Sequence, residues 1–119
     1  MEYTKLEVWT NSRKLVKEIY EITEEFPKKE MYGIISQMRR SAISVPSNIA
    51  EGSGRYSFKE KCRFFYIAKG SLFELETQLY LSKDVGYLED SKFNDVMKII
   101  LSSKKLLNGS IKFLKNKQC

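Results

Sequence analysis

The chain has 119 residues, 42% of them apolar, with a formal net charge of +6 and no histidine. This length fits one domain with a single core, and the lack of histidine excludes Ser-His-Asp catalysis and every His-ligated metal site. The apolar runs are too short to cross a bilayer and the first residues lack a signal-peptide core, so we expect a cytoplasmic protein with no membrane partner.

The first predicted helix begins at a capping box, Thr4-Lys5-Leu6-Glu7, and ends before Pro27. Apolar and small side chains recur along it at alternating steps that are typical of one buried helix face. They are Val8, Ser12, Leu15, Ile19, Ile22 and Phe26. The remaining positions carry mixed charge, which predicts a solvated outer face.

A second helix is predicted from about Met31 to Glu51, although Pro46 lies inside it. Its apolar and small positions keep one register on both sides of the proline: Ile35, Met38, Ala42, Val45, Ile49 and Gly52. A broken element would restart its pattern out of phase. We therefore predict one helix kinked at Pro46, which has no N–H to donate to the carbonyl of Ala42. Asn48 is expected to hydrogen-bond a backbone carbonyl that Pro46 leaves without its usual donor.

A second capping box, Ser57 to Glu60, predicts a third helix that runs to about Asp84, with Gly86 as its cap. Its predicted core positions are Phe65, Ala68, Leu72, Leu75, Leu79 and Ser82, and Cys62 also lies on this apolar face.

A second stripe of aromatic residues runs beside the core positions of the third helix. Tyr66, Phe73, Tyr80 and Tyr87 follow each other at heptad spacing. The combined apolar arc is wider than one intramolecular face needs. Either the core is broad here, or these residues form an interface between subunits, where aromatic side chains are enriched.

The fourth helix is predicted to be capped by Asp90 or Ser91, with core positions Phe93, Met97, Ile100, Leu107, Ile111 and Leu114. Lys104 interrupts this pattern, so either its charged end extends to solvent or the buried face rotates there. Residues 90–119 carry +5 of the net charge. Because the connections are short, we predict an all-α, antiparallel up-down-up-down four-helix bundle, a single domain over residues 1–119 with a proline-kinked second helix.

One segment carries a family resemblance. Gln37-Met38-Arg39-Arg40-Ser41-Ala42, followed by Val45-Pro46-Ser47-Asn48-Ile49-Ala50-Glu51-Gly52, resembles the signature of the bacterial 23S ribosomal RNA intervening sequence family. The resemblance implies a four-helix bundle that assembles as a homo-oligomeric ring, a pentamer, with no established reaction and no cofactor. The family is in turn distantly similar to the accessory variability protein of diversity-generating retroelements, a basic helical ring that partners a reverse transcriptase.

Lysines of the fourth helix are the main candidates for binding RNA or DNA. Lys98, Lys105 and Lys112 are one heptad apart, and Lys115 and Lys117 extend the basic surface. Such point charges suit contact with phosphates without base reading. The alternative is a solvated face that keeps the protein soluble and complements the helix dipole.

Arg39, Arg40 and Arg55 are further candidates for phosphate contact, because a guanidinium binds phosphate through two hydrogen bonds. Arg55 follows a Gly52-Ser53-Gly54 segment that forms either an anion-binding nest or a helix end. For Arg39 and Arg40 the alternative is an ion pair within the fold or across a subunit boundary, with Glu51, Glu74 and Glu76 as the predicted partners.

Two hypotheses for the function remain after these observations. The first is an oligomeric nucleic-acid-binding protein, and the second is a scaffold that binds another protein and no nucleic acid. Catalysis is disfavoured, because metal-dependent phosphoryl transfer needs clustered carboxylates, and Glu74 and Glu76 point to different faces of their helix.

Overall fold

The structure is a computed structural model that describes residues 2–117. Its helices are α1 (Glu7–Thr23), α2 (Ile34–Ser53), α3 (Phe58–Asp84) and α4 (Asp90–Lys115). Short 3-10 turns precede α1 and α2, and the described residues form no strand. None of the helices in this part of the chain is both long and apolar enough to cross a membrane. The predicted all-α class is confirmed.

Each helix packs against two others. Across the described residues, α1 and α3 each contact α2 and α4, whereas the diagonal pairs do not contact each other. The contacts run in opposite chain directions: Ser41 bonds Glu74 while Ser44 bonds Ser71 across the α2–α3 boundary. Successive helices are therefore antiparallel, and the predicted up-down-up-down four-helix bundle is confirmed.

The core is made by the predicted faces of the helices. All the predicted core positions of α1, α2 and α3 are buried, and Cys62 is buried with them. In α4 the buried face instead passes through Val96 and Ser103, while Met97 is only partly buried. The interruption at Lys104 is thus explained: the face runs through the neighbouring Ser103, and Lys104 lies beside it.

α2 continues as one helix through Pro46, as its unbroken register predicts. Asn48 donates to a backbone carbonyl as predicted, but the acceptor is Ser44 (2.8 Å) and not Ala42, whose carbonyl Pro46 leaves without its usual donor. Near the end of α2, Gly52 lies against α3 so closely that an added Cβ would be 2.9 Å from the Cβ of Phe64. A side chain at this position would therefore collide with α3.

The predicted helix ends are partly correct. The hydroxyl of Ser57 accepts from the N–H of Glu60 (3.1 Å) at the start of α3. Gly86 has φ +86° and ends α3, and the next N–H returns to the carbonyl of Ser82 (2.9 Å). The capping box at Thr4 is wrong, because its hydroxyl bonds Glu2 within a 3-10 turn and α1 begins only at Glu7.

The start of α4 also differs from the prediction. Glu89 is the N-cap residue, and its side chain makes no capping hydrogen bond. The hydroxyl of Ser91 instead donates to the carboxylate of Glu89 (2.9 Å). Neither Asp90 nor Ser91 therefore caps the helix.

Candidate nucleic-acid interface

The outer face of α4 presents a set of lysines, which we call the lysine face. Its members are Lys98, Lys105, Lys112, Lys115 and Lys117, and all five are exposed. Heptad spacing places Lys98, Lys105 and Lys112 in one line, about 10 Å apart along the helix. The buried face of α4 fixes this orientation, because Ile100, Leu107 and Ile111 pack into the core on the other side.

The lysine face is free of compensating carboxylates. Residues 96–117 contain no aspartate or glutamate. Among residues 2–117, no carboxylate forms an ion pair with any of the five lysines. Lys104 is different, because its ammonium lies 2.7 Å from the carboxylate of Glu76 and both side chains are largely buried. The five lysines therefore keep their charge available to a ligand.

Exposed aromatic side chains of α3 lie beside α4. Tyr66, Phe73 and Tyr80, which we call the aromatic row, are 42%, 43% and 49% exposed. Two lysines of α4 reach them: the ammonium of Lys115 is 5.3 Å from the ring centre of Tyr66, and that of Lys104 is 4.7 Å from the ring centre of Phe73. The broad apolar arc of α3 is therefore not fully used by the core of one chain.

Tyr87 does not continue the aromatic row, since α3 ends at Asp84. It lies at the end of the bundle, where its hydroxyl donates to Glu30 (2.8 Å) and its ring packs against Phe26 (5.6 Å between centres). The hydrogen bond to Glu30 raises the pKa of Tyr87 above its ordinary value. Heptad spacing placed Tyr87 on the stripe, but the turn at Gly86 removes it from that face.

The three candidate arginines lie in different places. Arg39 is held by α1: its guanidinium stacks on Tyr20 (4.4 Å), donates to Thr23 (3.0 Å) and pairs with Glu24 (3.5 Å). The predicted partners Glu51, Glu74 and Glu76 are thus wrong for Arg39. Arg40 is exposed at the rim of a groove between α2 and α3.

Arg55 lies at the end of the bundle where α4 also ends. Its guanidinium pairs with Glu51 (3.1 Å) and stacks on Phe64 (4.6 Å). Gly52 and Ser53 belong to α2, and Gly54 caps it with a negative φ. The segment before Arg55 is therefore a helix end, and the bonds of Arg55 are made within its own chain.

A polar groove between α2 and α3 was not expected from the sequence. The hydroxyl of Ser41 donates to Glu74 (2.9 Å), and the hydroxyls of Ser44 and Ser71 are 2.7 Å apart. The neighbouring Gln78 is 7% exposed, and its Oε1 has no hydrogen-bond partner. In sequence, Gln78 appears simply as a polar residue next to the core position Leu79, with no signal that its amide is unpaired.

A second exposed apolar region lies between α1 and α2. We call it the α1–α2 surface; its members are Tyr20 (38% exposed), Met31 (43%), Tyr32 (97%) and Ile43 (42%). Arg39 and Arg40 border it. The sequence gives a partial indication of this surface, because Tyr20 directly follows the core position Ile19 and widens the apolar stripe of α1.

The titrating groups with a resolved shift lie away from the lysine face. Glu25 hydrogen-bonds Lys92 and raises its pKa, and Arg63 hydrogen-bonds Glu60 and lowers its pKa. Glu25 and Lys92 line a small polar cleft with Tyr87 at the end of the bundle, and both ion pairs join exposed side chains. In the described part of the chain, no group of three or more Cys, Asp or Glu residues is arranged to hold a metal ion.

The fold and this surface define an all-α bundle with one basic, aromatic-flanked side. The family model described as 23S rRNA-intervening sequence protein matches residues 4–109. The chain therefore belongs to the 23S rRNA-intervening sequence protein family, as its α2 signature implies. Among curated proteins, none matches the chain.

A solved structure gives the same architecture. It is the crystal structure of a protein of unknown function from the S23 ribosomal protein family of Bacteroides thetaiotaomicron. The TM-score is 0.82 at 22% identity, and the alignment covers 88% of this chain and 95% of that chain. At this identity the similarity shows the fold alone.

Proposed function

We propose that this protein is a non-enzymatic, ring-forming four-helix bundle whose lysine face binds the phosphates of RNA or DNA. The observation that carries the proposal is the set of five exposed lysines, four on α4 and Lys117 just beyond its end, in a segment without a carboxylate. Phosphate contacts of this kind supply sequence-independent affinity. Lysine carries a point charge and lacks the planar guanidinium of arginine. The surface is therefore suited to contacting the phosphates of a nucleic acid and offers few groups that could recognise particular bases.

Assembly is the second part of the proposal. The family resemblance implies a pentameric ring, and a closed ring needs two different surfaces that meet head to tail. The aromatic row and the α1–α2 surface are two exposed apolar regions that could meet in this way. An oligomeric ring would repeat the lysine face in every subunit and raise avidity without any new contact. The expected native mass is five times the chain mass of 13.9 kDa.

The test is a fluorescence-anisotropy titration of labelled RNA and duplex DNA across a salt series, with native mass measured in the same buffer. We expect the logarithm of affinity to fall steeply and linearly with the logarithm of salt concentration. A variant with Lys98, Lys105 and Lys112 changed to Gln should bind more weakly. Its salt slope should be shallower by about 1 for each lysine that contacts phosphate.

A matched control removes charge elsewhere. Lys28 and Lys29 are exposed in the 3-10 turn at the opposite end of the bundle from the C-terminus of α4. Changing both to Gln should leave affinity and salt slope nearly unchanged. If wild-type protein of intact mass binds neither nucleic acid at low salt, the proposal fails and the protein-binding scaffold takes its place.

A further inference from the structure

The aromatic row and the lysine face lie side by side on one surface of the molecule. Lys115 of α4 stands over Tyr66 of α3, so the two features touch at this point. Successive members of the row are about 10 Å apart, and the line from Lys98 to Lys112 is about 21 Å long. The surface therefore combines half-exposed aromatic rings, each with one contact inside the chain (Lys115, Lys104 or Phe93), and positive charge along the same direction.

We propose that this surface binds single-stranded nucleic acid, with unpaired bases stacked on the aromatic row and phosphates against the lysine face. The inference rests on the proposed function and adds the substrate class. Bases in a duplex are already stacked on each other, whereas those of a single strand can stack on aromatic side chains.

The composition of the surface favours this occupant over a second copy of the chain. Subunit interfaces are enriched in aromatic residues, methionine and arginine but depleted in lysine, so it is the neighbouring lysines, and not the aromatic row itself, that favour a polyanion here. A partner seated on the row would cover the ammonium of Lys115, and burying an unpaired charge is costly. A polyanion instead supplies the missing negative charge.

The α1–α2 surface has the composition expected of a subunit contact. It combines Tyr20, Met31, Tyr32 and Ile43, and its bordering cations are arginines. With this assignment, subunits contact each other through the α1–α2 surface, and the nucleic acid binds at a different surface. The aromatic row, which the sequence offers as a subunit interface, then serves ligand binding.

The experiment compares three polyanions at one ionic strength: an RNA 20-mer designed not to self-pair, a duplex of the same length, and heparin, which carries charge but no bases. The variant changes Tyr66, Phe73 and Tyr80 to Leu, which keeps apolar side chains and removes the rings. A single Tyr80→Leu variant covers the case in which the triple variant does not fold. Leu81→Ala is the control, because Leu81 is 50% exposed on the same helix but off the row.

We expect wild type to bind the single strand at least ten-fold more tightly than the duplex. The triple variant should lose this preference, and each lost stacking contact should weaken binding to the single strand by about five-fold or more. Affinities for duplex and heparin, and the salt slope, should not change. Leu81→Ala should match wild type throughout.

Three other outcomes would each contradict the inference. Equal binding of single strand and duplex by wild type would overturn the stacking role and leave phosphate binding in place. Loss of the wild-type native mass in the row variants would assign the row to subunit contact. Absence of binding to all three polyanions would remove the proposed function and this inference together.

Discussion

The contact between Gly52 and α3 predicts a clear loss of stability on Gly52→Ala. The added Cβ would be 2.9 Å from the Cβ of Phe64, 3.0 Å from a ring carbon of Phe65 and 3.1 Å from the carbonyl oxygen of Lys61. Two of these atoms cannot rotate away, because one is a Cβ and the other belongs to the backbone. α2 and α3 would have to separate slightly.

The size of this effect follows from two opposing terms. Overpacking a tight contact costs about 1–3 kcal/mol, whereas replacing glycine by alanine in a helix gains at most about 1 kcal/mol. The expected net loss is therefore up to about 2 kcal/mol. Gly70 in the middle of α3 provides the matched control, because a Cβ there would meet nothing within 4 Å. Gly70→Ala should stabilise the protein by about 0.5–1 kcal/mol.

The assay is thermal unfolding followed by far-ultraviolet circular dichroism, at one protein concentration because the proposed assembly would make the midpoint depend on concentration. The two variants should differ by about 2 kcal/mol, which is roughly 8 °C in Tm for a chain of this size. If Gly52→Ala were as stable as Gly70→Ala, the close approach of α2 and α3 would not constrain this position and the reasoning would be refuted.

The remaining predictions concern two polar side chains. Gln78→Leu should raise the free energy of unfolding in urea by about 1 kcal/mol, because it removes a buried acceptor that has no partner; a loss of stability would mean that the amide is hydrogen-bonded in solution. Tyr87→Phe should lower stability at neutral pH, because it removes the hydrogen bond to Glu30. Since that bond raises the pKa of Tyr87 above 10.0, its contribution is fully present below pH 10 and is lost as the pH rises through the higher folded value. The wild-type advantage should therefore shrink in alkaline buffer, and an advantage that stayed constant there would contradict the assignment.

The helices and their buried faces could be predicted from the sequence because helical periodicity reports directly on burial. The register through Pro46 is the best example, since it predicted one helix where the proline alone suggested a break. The choice of Met97 over Val96 failed because two adjacent apolar residues fit the pattern almost equally well. The prediction of Thr4 as a cap was wrong because its hydroxyl hydrogen-bonds the carboxylate of Glu2.

The candidate site was only partly visible in the sequence, for a physical reason. Exposed lysines of α4 could be predicted, because their heptad spacing is a property of one helix. The partners of Arg39 could not, because Tyr20 and Thr23 belong to α1 and become neighbours only when α1 and α2 pack. The polar groove between α2 and α3 likewise forms only where two helices pack together, so it could not be predicted from the sequence of either helix alone.

The basic part of α4 has one further consequence, because all its cations are lysines. Acetylation of a lysine amine removes its charge, whereas a guanidinium stays positive throughout the physiological range. Acetylation could thus remove the positive charge of this surface one lysine at a time. Arg39 and Arg55, which form ion pairs within the chain, would keep their charge. The exposed cations of the lysine face are therefore open to chemical neutralisation in a way that these two arginines are not.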